Sequence, residues 1–322
     1  MTLTELRKNT YFQDSKTKQM KRIWMFALLF MPGILVAQIE MVPSAEGILF
    51  RESGKDVVFY QIKPKSLNGK YERSHYFHPL WGLDGQVITE DFPKDHPHHR
   101  GIFWAWHQVL VNDKPAGDLW ELKGIRQEVR EVEFISRPDG AGEFRSDVVW
   151  VSKKAAGHHS EKDVVREECK VIIHKAKVGY RQIDFEISLY ALHPDVKIGG
   201  SDDEKGYGGF SVRSQLHGDV RFQGKQGSVV PENTAVESPG WINLLSQVPP
   251  DMKRYGLAII DQKSNPGYPQ PWILRSSSSM QNAVYPGCIT VALDPIKPLV
   301  LRYSVVVHNG NLKGRKIGRI KK

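Results

Sequence analysis

The densest group of chemically active side chains lies between residues 78 and 107. Five of the twelve histidines and three of the eight tryptophans fall in this segment. Imidazole titrates near neutral pH and can accept or donate a proton, so a histidine beside a carboxylate is a usual acid–base pair. Pro93 and Pro97 restrict the backbone between them. We therefore predict a functional site in this segment.

The first hypothesis for this site is proton transfer on a sugar or glycoside. His98 and His99 are the predicted acid–base residues, and Asp95 is the carboxylate that would orient them. Flat aromatic faces suit sugar rings, and charged side chains bind hydroxyl groups. On that basis the predicted substrate-binding residues are Asp84, Arg100, Trp104, Trp106, His107 and Arg213.

A second hypothesis is a metal-dependent version of the same site. In an extended chain His96 and His98 would share one side, and His99 would face the other. With a carboxylate such as Asp91 or Asp95, His96 and His98 would form a ligand set for a divalent metal, which would acidify a water or a sugar proton as in lyase or hydrolase chemistry. A third hypothesis is a non-catalytic carbohydrate-binding envelope protein, in which the histidines are structural.

Residues 202–213 form a second candidate segment. Three glycines within four residues lead into a strand, which permits close approach of a ligand or a neighbouring chain. Arg213 follows that strand and would point into a cleft. A β-bulge beside a solvated acidic turn explains the same residues without a ligand. Further candidate cleft residues are Glu167, His217 and His308.

Charge and motifs exclude several classes of protein. The formal net charge is +9, but six basic residues lie in 1–37 and six in the last ten residues. The remaining chain has nearly equal numbers of acidic and basic residues, so no nucleic-acid partner is expected. The sequence contains no GxSxG, P-loop, GxGxxG, HExxH or CxxC motif. A small molecule or a glycan is the expected partner.

The N-terminus predicts export. Lys21 and Arg22 precede an apolar run over residues 23–37, which is typical of a signal peptide and short for a membrane span. We predict a periplasmic or secreted protein with no stable membrane span after cleavage, and Met20 is a candidate true start. The predicted organisation is an extension plus signal peptide over 1–37, one domain over 38–311 and a solvated basic tail over 312–322.

Alternation with a period of two dominates the rest of the chain. It is clearest over residues 180–192, where Ile183, Phe185 and Ile187 alternate with polar side chains. Similar runs occupy residues 57–62, 129–135, 148–151, 171–173, 209–212, 256–260, 289–293 and 299–307. The best helical candidate is a turn or two around residues 118–126. The prediction is an all-β fold, a large antiparallel β-sandwich. Cys169 and Cys288 form either one disulfide or two free thiols.

Four segments of the chain resemble the bacterial "PmoA family", a domain of unknown function. They are residues 78–85, 95–104, 205–213 and 301–310, and the resemblance spans about residues 45–310. The resemblance implies a secreted β-sandwich related to galactose mutarotase and a carbohydrate-related role. It assigns no catalytic residues.

Overall fold

The computed structural model describes most of the chain after residue 37. The described ranges are residues 38–153, 160–215, 217, 220–248, 251–277 and 280–320. The predicted signal segment and Met20 lie outside them. Each of the nine alternating runs falls on a strand, and every strand pairing among the described residues is antiparallel. The prediction of an all-β fold is confirmed.

Two large sheets make up most of the structure. The eight-stranded sheet has, in spatial order, β1 (Ile39–Pro43), β2 (Gly47–Glu52), β3 (Lys55–Gln61), β6 (Tyr76–Leu80), β7 (Ile102–Trp106), β15 (Gly208–Val212), β21 (Gln281–Val284) and β20 (Trp272–Ile273). The nine-stranded sheet has β10 (Ile125–Ser136), β11 (Gly142–Ser152), β12 (Lys162–Ile173), β13 (Tyr180–Ala191), β23 (Leu299–His308), β19 (Lys253–Asp261), β18 (Trp241–Val248), β16 (Arg221–Gly224) and β17 (Gly227–Val229).

Two smaller sheets and one helical turn complete the fold. The four-stranded sheet has β22 (Thr290–Ala292), β14 (Val196–Gly199), β8 (Gln108–Val111) and β9 (Lys114–Gly117), and the hairpin has β4 (Lys65–Leu67) and β5 (Lys70–Arg73). The helix α1 spans Gly314–Ile317. Within the described ranges, no helix has the length and apolar character needed to cross a membrane.

Aromatic rings join the two large sheets face to face. Phe77 on β6 meets Phe185 on β13 with ring centroids 5.4 Å apart. Phe210 on β15 stacks on Tyr303 on β23 at 4.6 Å. All four side chains are buried. Since burying a large aromatic side chain contributes roughly 1.5–3 kcal/mol, this layer is a major stabilising term. The two sheets therefore form a sandwich around one core.

A carboxylate, Glu167 on β12, lies inside that core. Its Oε1 accepts hydrogen bonds from Trp104 Nε1 at 2.6 Å and His75 Nε2 at 2.7 Å. Its Oε2 accepts from Trp150 Nε1 at 2.8 Å and Gln127 Nε2 at 3.2 Å. Burial alone would raise the pKa of the Glu167 carboxyl, but His75 and the indoles outweigh burial and hold that pKa below its usual value.

The donors to Glu167 come from both large sheets. Trp104 lies on β7 of the eight-stranded sheet, whereas Trp150 and Gln127 lie on β11 and β10 of the other. A buried charge is tolerated only when its hydrogen-bonding capacity is filled. Glu167 is therefore a structural residue that ties the sheets together, and it does not line the predicted cleft.

The C-terminal tail packs against the nine-stranded sheet. Ile317 and Ile320 are buried in a small cluster with Trp241 and Tyr180. Gly314 permits this contact, because an added Cβ there would lie 3.0 Å from Cη2 of the Trp241 ring. The expectation of a solvated tail is wrong for these residues, since the isoleucines anchor it.

Strand β10 is an edge of the nine-stranded sheet and pairs only with β11. Its exposed side chains include Glu131 and Glu133, and Arg130 lies between carboxylates of Glu128 and Asp163. The register with β11 shifts between Val129 and Glu131, which marks a β-bulge. The edge is therefore both charged and irregular.

Both cysteines are free thiols, so the alternative of a disulfide between Cys169 and Cys288 is wrong. Cys169 is buried in the core and Cys288 is exposed. Burial raises the pKa of the Cys169 thiol well above its usual value, so that thiol is unreactive.

We expect one thiol per chain to react with a disulfide reagent in the native protein and two after unfolding without reductant. No reactive thiol in the unfolded, unreduced protein would contradict this.

Replacing the buried carboxylate tests its structural role. Glu167→Ala leaves two indoles and an imidazole without an acceptor, and we expect the free energy of unfolding in urea to fall by roughly 3–5 kcal/mol. Its neighbour Glu168, whose side chain is 46% exposed, provides the control. Glu168→Gln should cost less than about 1 kcal/mol. Equal losses in the two variants would show that Glu167 does not hold the sheets together.

Candidate functional site: a histidine cleft

Four of the predicted histidines line one cleft. The cleft has a volume of about 300 Å³ and lies beside adjacent ends of the neighbouring strands β7 and β15. We call it the histidine cleft. Its lining residues are His96, His98, His99, His107, Trp120, Glu121, Ser201, Asp203, Lys205, Tyr207 and Met280. The two candidate segments therefore meet, because the loop before β15 faces the histidine-rich loop.

The histidine-rich loop is a tight turn rather than an extended chain. His99 N donates to His96 O at 2.9 Å, and an isolated bridge between Asp91 and Arg100 closes the loop. As a result the His96 and His99 rings stack 4.9 Å apart, at an angle of 6°. His98 meets His99 edge to face at 4.5 Å. The expectation that His99 points away from His96 is wrong, because the turn brings all three rings together.

Arg213 holds the base of this loop. Its Nη2 and Nη1 donate to the two oxygens of Asp95 at 2.7 and 3.1 Å, and its Nε donates to Glu90 at 2.8 Å. The guanidinium is thus occupied by two carboxylates, and it does not line the cleft as a predicted substrate ligand would. Burial favours the neutral Asp95 carboxyl, but hydrogen bonds from Arg213 and His96 outweigh burial and lower its pKa to about 2.

Two of the imidazoles are each paired with an aspartate. His96 Nδ1 lies 2.7 Å from Asp95 Oδ2, and His107 Nδ1 lies 2.9 Å from Asp118 Oδ2. Because a carboxylate oxygen accepts, Nδ1 is the donor in each pair. In that neutral tautomer Nε2 has a free lone pair, which is the arrangement of a histidine general base.

His98 and His99 are held in the neutral form. Burial lowers the pKa of His98 to about 4, although the nearby Glu121 carboxylate opposes this. Burial and the neighbouring imidazoles lower the pKa of His99 further. Because Arg213 Nη1 can only donate, His99 Nδ1 accepts from it at 3.5 Å, and the ring proton is on Nε2. His98 and His99 can therefore donate hydrogen bonds without carrying charge at neutral pH.

Trp120, which lies outside both candidate segments, joins His107 and Tyr207 in an aromatic wall of the cleft. Trp120 stacks on His107 at 5.4 Å and contacts Tyr207 at 5.5 Å. Trp120 lies in the turn between β9 and β10. Two backbone hydrogen bonds of 2.8 Å between Asp118 and Lys123 close this turn. The helical prediction for this region is wrong, since β10 begins at Ile125.

Trp104 and Trp106 do not form the predicted sugar platform. Both side chains are buried, with Trp104 bonded to Glu167 and Trp106 Nε1 donating to Tyr285 O at 2.9 Å. Successive side chains of a strand point to opposite faces. On β7 this places Trp104 and Trp106 in the core between the sheets, while Phe103 faces the other way and contacts His99 and Trp120.

Arg100, Asp91 and Asp84 also lie outside the cleft. The Arg100 guanidinium is buried, and it donates to Asp91 Oδ1 at 2.9 Å and to the carbonyl of Lys65 at 3.2 Å. It lies over the Phe92 ring at 3.2 Å. Asp84 is exposed in a turn. Arg100 and Asp84 therefore do not contribute to substrate binding in this cleft.

The predicted metal ligands do not converge. Asp91 pairs with Arg100 and with Lys65 Nζ at 2.8 Å, whereas His96 pairs with Asp95. Stacked imidazoles such as those of His96 and His99 present their ring faces to one another rather than directing nitrogen lone pairs to one point. Across the described ranges, no three His, Cys, Asp or Glu side chains are arranged to hold a metal ion.

Arg73 lies beneath the cleft, and no motif or spacing in the sequence predicts that position. Its buried guanidinium donates through Nη2 to Leu119 O at 2.7 Å and lies over the Phe103 ring at 4.9 Å. Its Nε and Nη1 make no hydrogen bond with the described residues. Burial, followed by the charge of Arg100, lowers the pKa of Arg73 to about 9. This cation helps to keep His98 and His99 neutral.

The other two candidate histidines are remote from the cleft lining. His308 is buried, and its ring nitrogens contact Asn243 Oδ1 at 3.0 Å and the Gly310 amide at 3.1 Å. His217 is half-buried, and its backbone amide bonds to Ser246. Neither residue lines the histidine cleft.

Comparison with known proteins identifies a family without an assigned activity. The chain belongs to DUF6807, a family of unknown function, whose model matches residues 48–321. The match includes the histidine-rich loop, residues 202–213 and most of the tail. A comparison with curated proteins found no match. The function must therefore be inferred from the residues and geometry of the histidine cleft.

The neutral buried histidines predict how stability depends on pH. Burial lowers the pKa of His78, His98 and His308 to about 4, and that of His99 still further. In the unfolded chain these groups titrate near pH 6.5, so below that pH the unfolded state binds more protons. The free energy of unfolding should therefore fall as pH drops from about 6.5 to 4, by up to about 1.4 kcal/mol per pH unit for each imidazole.

Urea unfolding at several pH values measures this slope. His98→Asn removes one of the four imidazoles, so its profile should be shallower than that of the unmodified protein over the same window. A profile that is flat between pH 6.5 and 4.5 would show that these histidines are not neutral in the folded protein.

Proposed function

We propose that this protein acts on a sugar or glycoside by proton transfer in the histidine cleft, outside the cytoplasm. The observation that carries the proposal is the pair of imidazole–carboxylate units, His96–Asp95 and His107–Asp118, that border one cleft with His98. Enzymes that move protons need one group to accept and another to donate, and such groups typically contribute about 10²–10⁴-fold to the rate.

The geometry favours a particular division of roles. An aspartate behind an imidazole stabilises the imidazolium that forms when the ring takes a proton. His96 and His107 are therefore the proposed proton carriers. His98 and His99 were the original acid–base candidates. Their lowered pKa values favour a neutral form that donates a hydrogen bond to a substrate oxygen. Asp95 retains its predicted orienting role, now toward His96.

The lining of the cleft supports a sugar as the substrate class. The half-buried Tyr207 offers ring surface, with the buried Trp120 packed behind it, while Glu121, Ser201 and Lys205 offer partners for hydroxyl groups. A volume of about 300 Å³ is at the small end for ligand sites, which suits one or two sugar rings. The apolar run over residues 23–37 supports a periplasmic or secreted location. Relationships to the "PmoA family" and to galactose mutarotase remain predictions.

Single substitutions test the proposed proton carriers. We expect His96→Asn and His107→Asn each to lower kcat at least 100-fold with KM changed less than about threefold, because binding groups remain. Tyr207→Ala should instead raise KM, because it removes the ring surface that is open to the cleft. The readouts are anomer interconversion, exchange of sugar C–H hydrogens with D₂O and cleavage of glycosides.

A matched control is available in the same chain. His174 forms a comparable pair with Asp184, at 2.7 Å, on the nine-stranded sheet away from the cleft. His174→Asn should leave turnover unchanged. Turnover that survives in both cleft variants would overturn the proposal. Sugar binding without turnover, insensitive to the histidine changes but lost in Tyr207→Ala, would instead identify a carbohydrate-binding protein.

A further inference from the structure

A second concave surface lies at the C-terminal tail, apart from the histidine cleft. This groove has a volume of about 690 Å³ and lies between the β16–β17 hairpin, the loop before β18, residues 263–268 and the tail. Its charged lining residues are Lys225, Lys263, Arg315 and Arg319, and we call it the basic groove. Within the described part of the chain, no carboxylate lines it.

The packing of the tail fixes two of these charges at the groove. Gly314 and Gly318 lie against the Trp241 ring, where added Cβ atoms would be 3.0 and 3.5 Å from ring atoms. Ile317, between them, is buried beneath the turn. Arg315 and Arg319 therefore flank an anchored residue and line the groove, rather than extending on a free tail.

The pairing of charges differs between this groove and the outer face of the nine-stranded sheet. On the outer face of the nine-stranded sheet, basic side chains have acidic partners, such as Arg166 with Asp147 at 2.8 Å and Arg302 with Glu186 at 2.7 Å. In contrast, the four cations of the basic groove form no ion pair with other described residues. Like charges that share a concave surface raise its potential and attract a counter-charge.

We propose that the basic groove binds an anionic oligosaccharide, with sulfate or carboxylate groups on the four cations. The exposed Gly227 at the hairpin turn leaves backbone open to close approach by an oxyanion. The groove is concave, which fits a discrete chain better than a flat membrane surface. Of its two aromatic residues, Trp241 is only 5% exposed and Tyr268 is half-buried, which leaves no row of rings for the stacking of successive bases in single-stranded nucleic acid. The site is independent of the proposed activity in the histidine cleft.

Binding of a sulfated hexasaccharide to the full chain tests this site. We expect binding that weakens with salt, with a log–log slope of about −3 for four ion pairs by analogy with single-stranded polyanions. Lys225→Gln/Lys263→Gln and, separately, Arg315→Gln/Arg319→Gln should each weaken binding at least tenfold. Unchanged unfolding midpoints would show that both variants keep the fold.

Two lysines elsewhere provide a control with the same change in net charge. Lys55 and Lys70 are exposed on β3 and β5, and Lys55→Gln/Lys70→Gln should change the affinity less than about threefold. A carboxylated oligosaccharide should compete, and neutral dextran should not. Equal losses in the control, absence of binding, or tighter binding to DNA or to anionic vesicles than to the oligosaccharide would overturn the proposal.

Discussion

The alignment of the two sheets depends on the desolvated carboxylate of Glu167. Trp104 from one sheet and Trp150 from the other share its two oxygens, so sliding either sheet would leave a buried charge short of donors. Trp104 lies in the middle of β7, and that strand leads from the histidine-rich loop to His107. The geometry of the cleft is therefore set partly by Trp104, whose side chain lies on the opposite face of β7 and does not contact the cleft.

The chemistry of the cleft follows from how its charges are distributed. Both oxygens of Asp95 are held by Arg213, which keeps that carboxylate ionised and aimed at His96. His98 and His99 are kept neutral by burial and by the cations around them. The histidine-rich loop thus presents imidazoles of two kinds. His96 is suited to take up a proton, whereas His98 and His99 are suited to donate hydrogen bonds.

The sequence was informative where local rules apply and silent where distant segments meet. Alternation placed the strands, and the density of histidines located the cleft. The same alternation on β7 separates Trp104 and Trp106 from His107. It therefore predicts that these two tryptophans do not share a sugar platform with His107. Trp120 and Arg73 were not predictable, because each gains its role only when the chain brings distant segments together. The Asp91–Arg100 bridge likewise removes two charged residues from the cleft that sequence proximity had assigned to it.

The irregular edge strand β10 has a consequence for how these molecules meet one another. The outer side of a twelve-residue edge strand offers a row of amides and carbonyls onto which another copy could add its own strand. Along β10 such an addition would bring Glu131 and Glu133 toward charges of the incoming strand, and the bulge after Val129 would break the repeat of backbone hydrogen bonds. The charged and irregular edge thus disfavours growth of the sheet by addition of another copy.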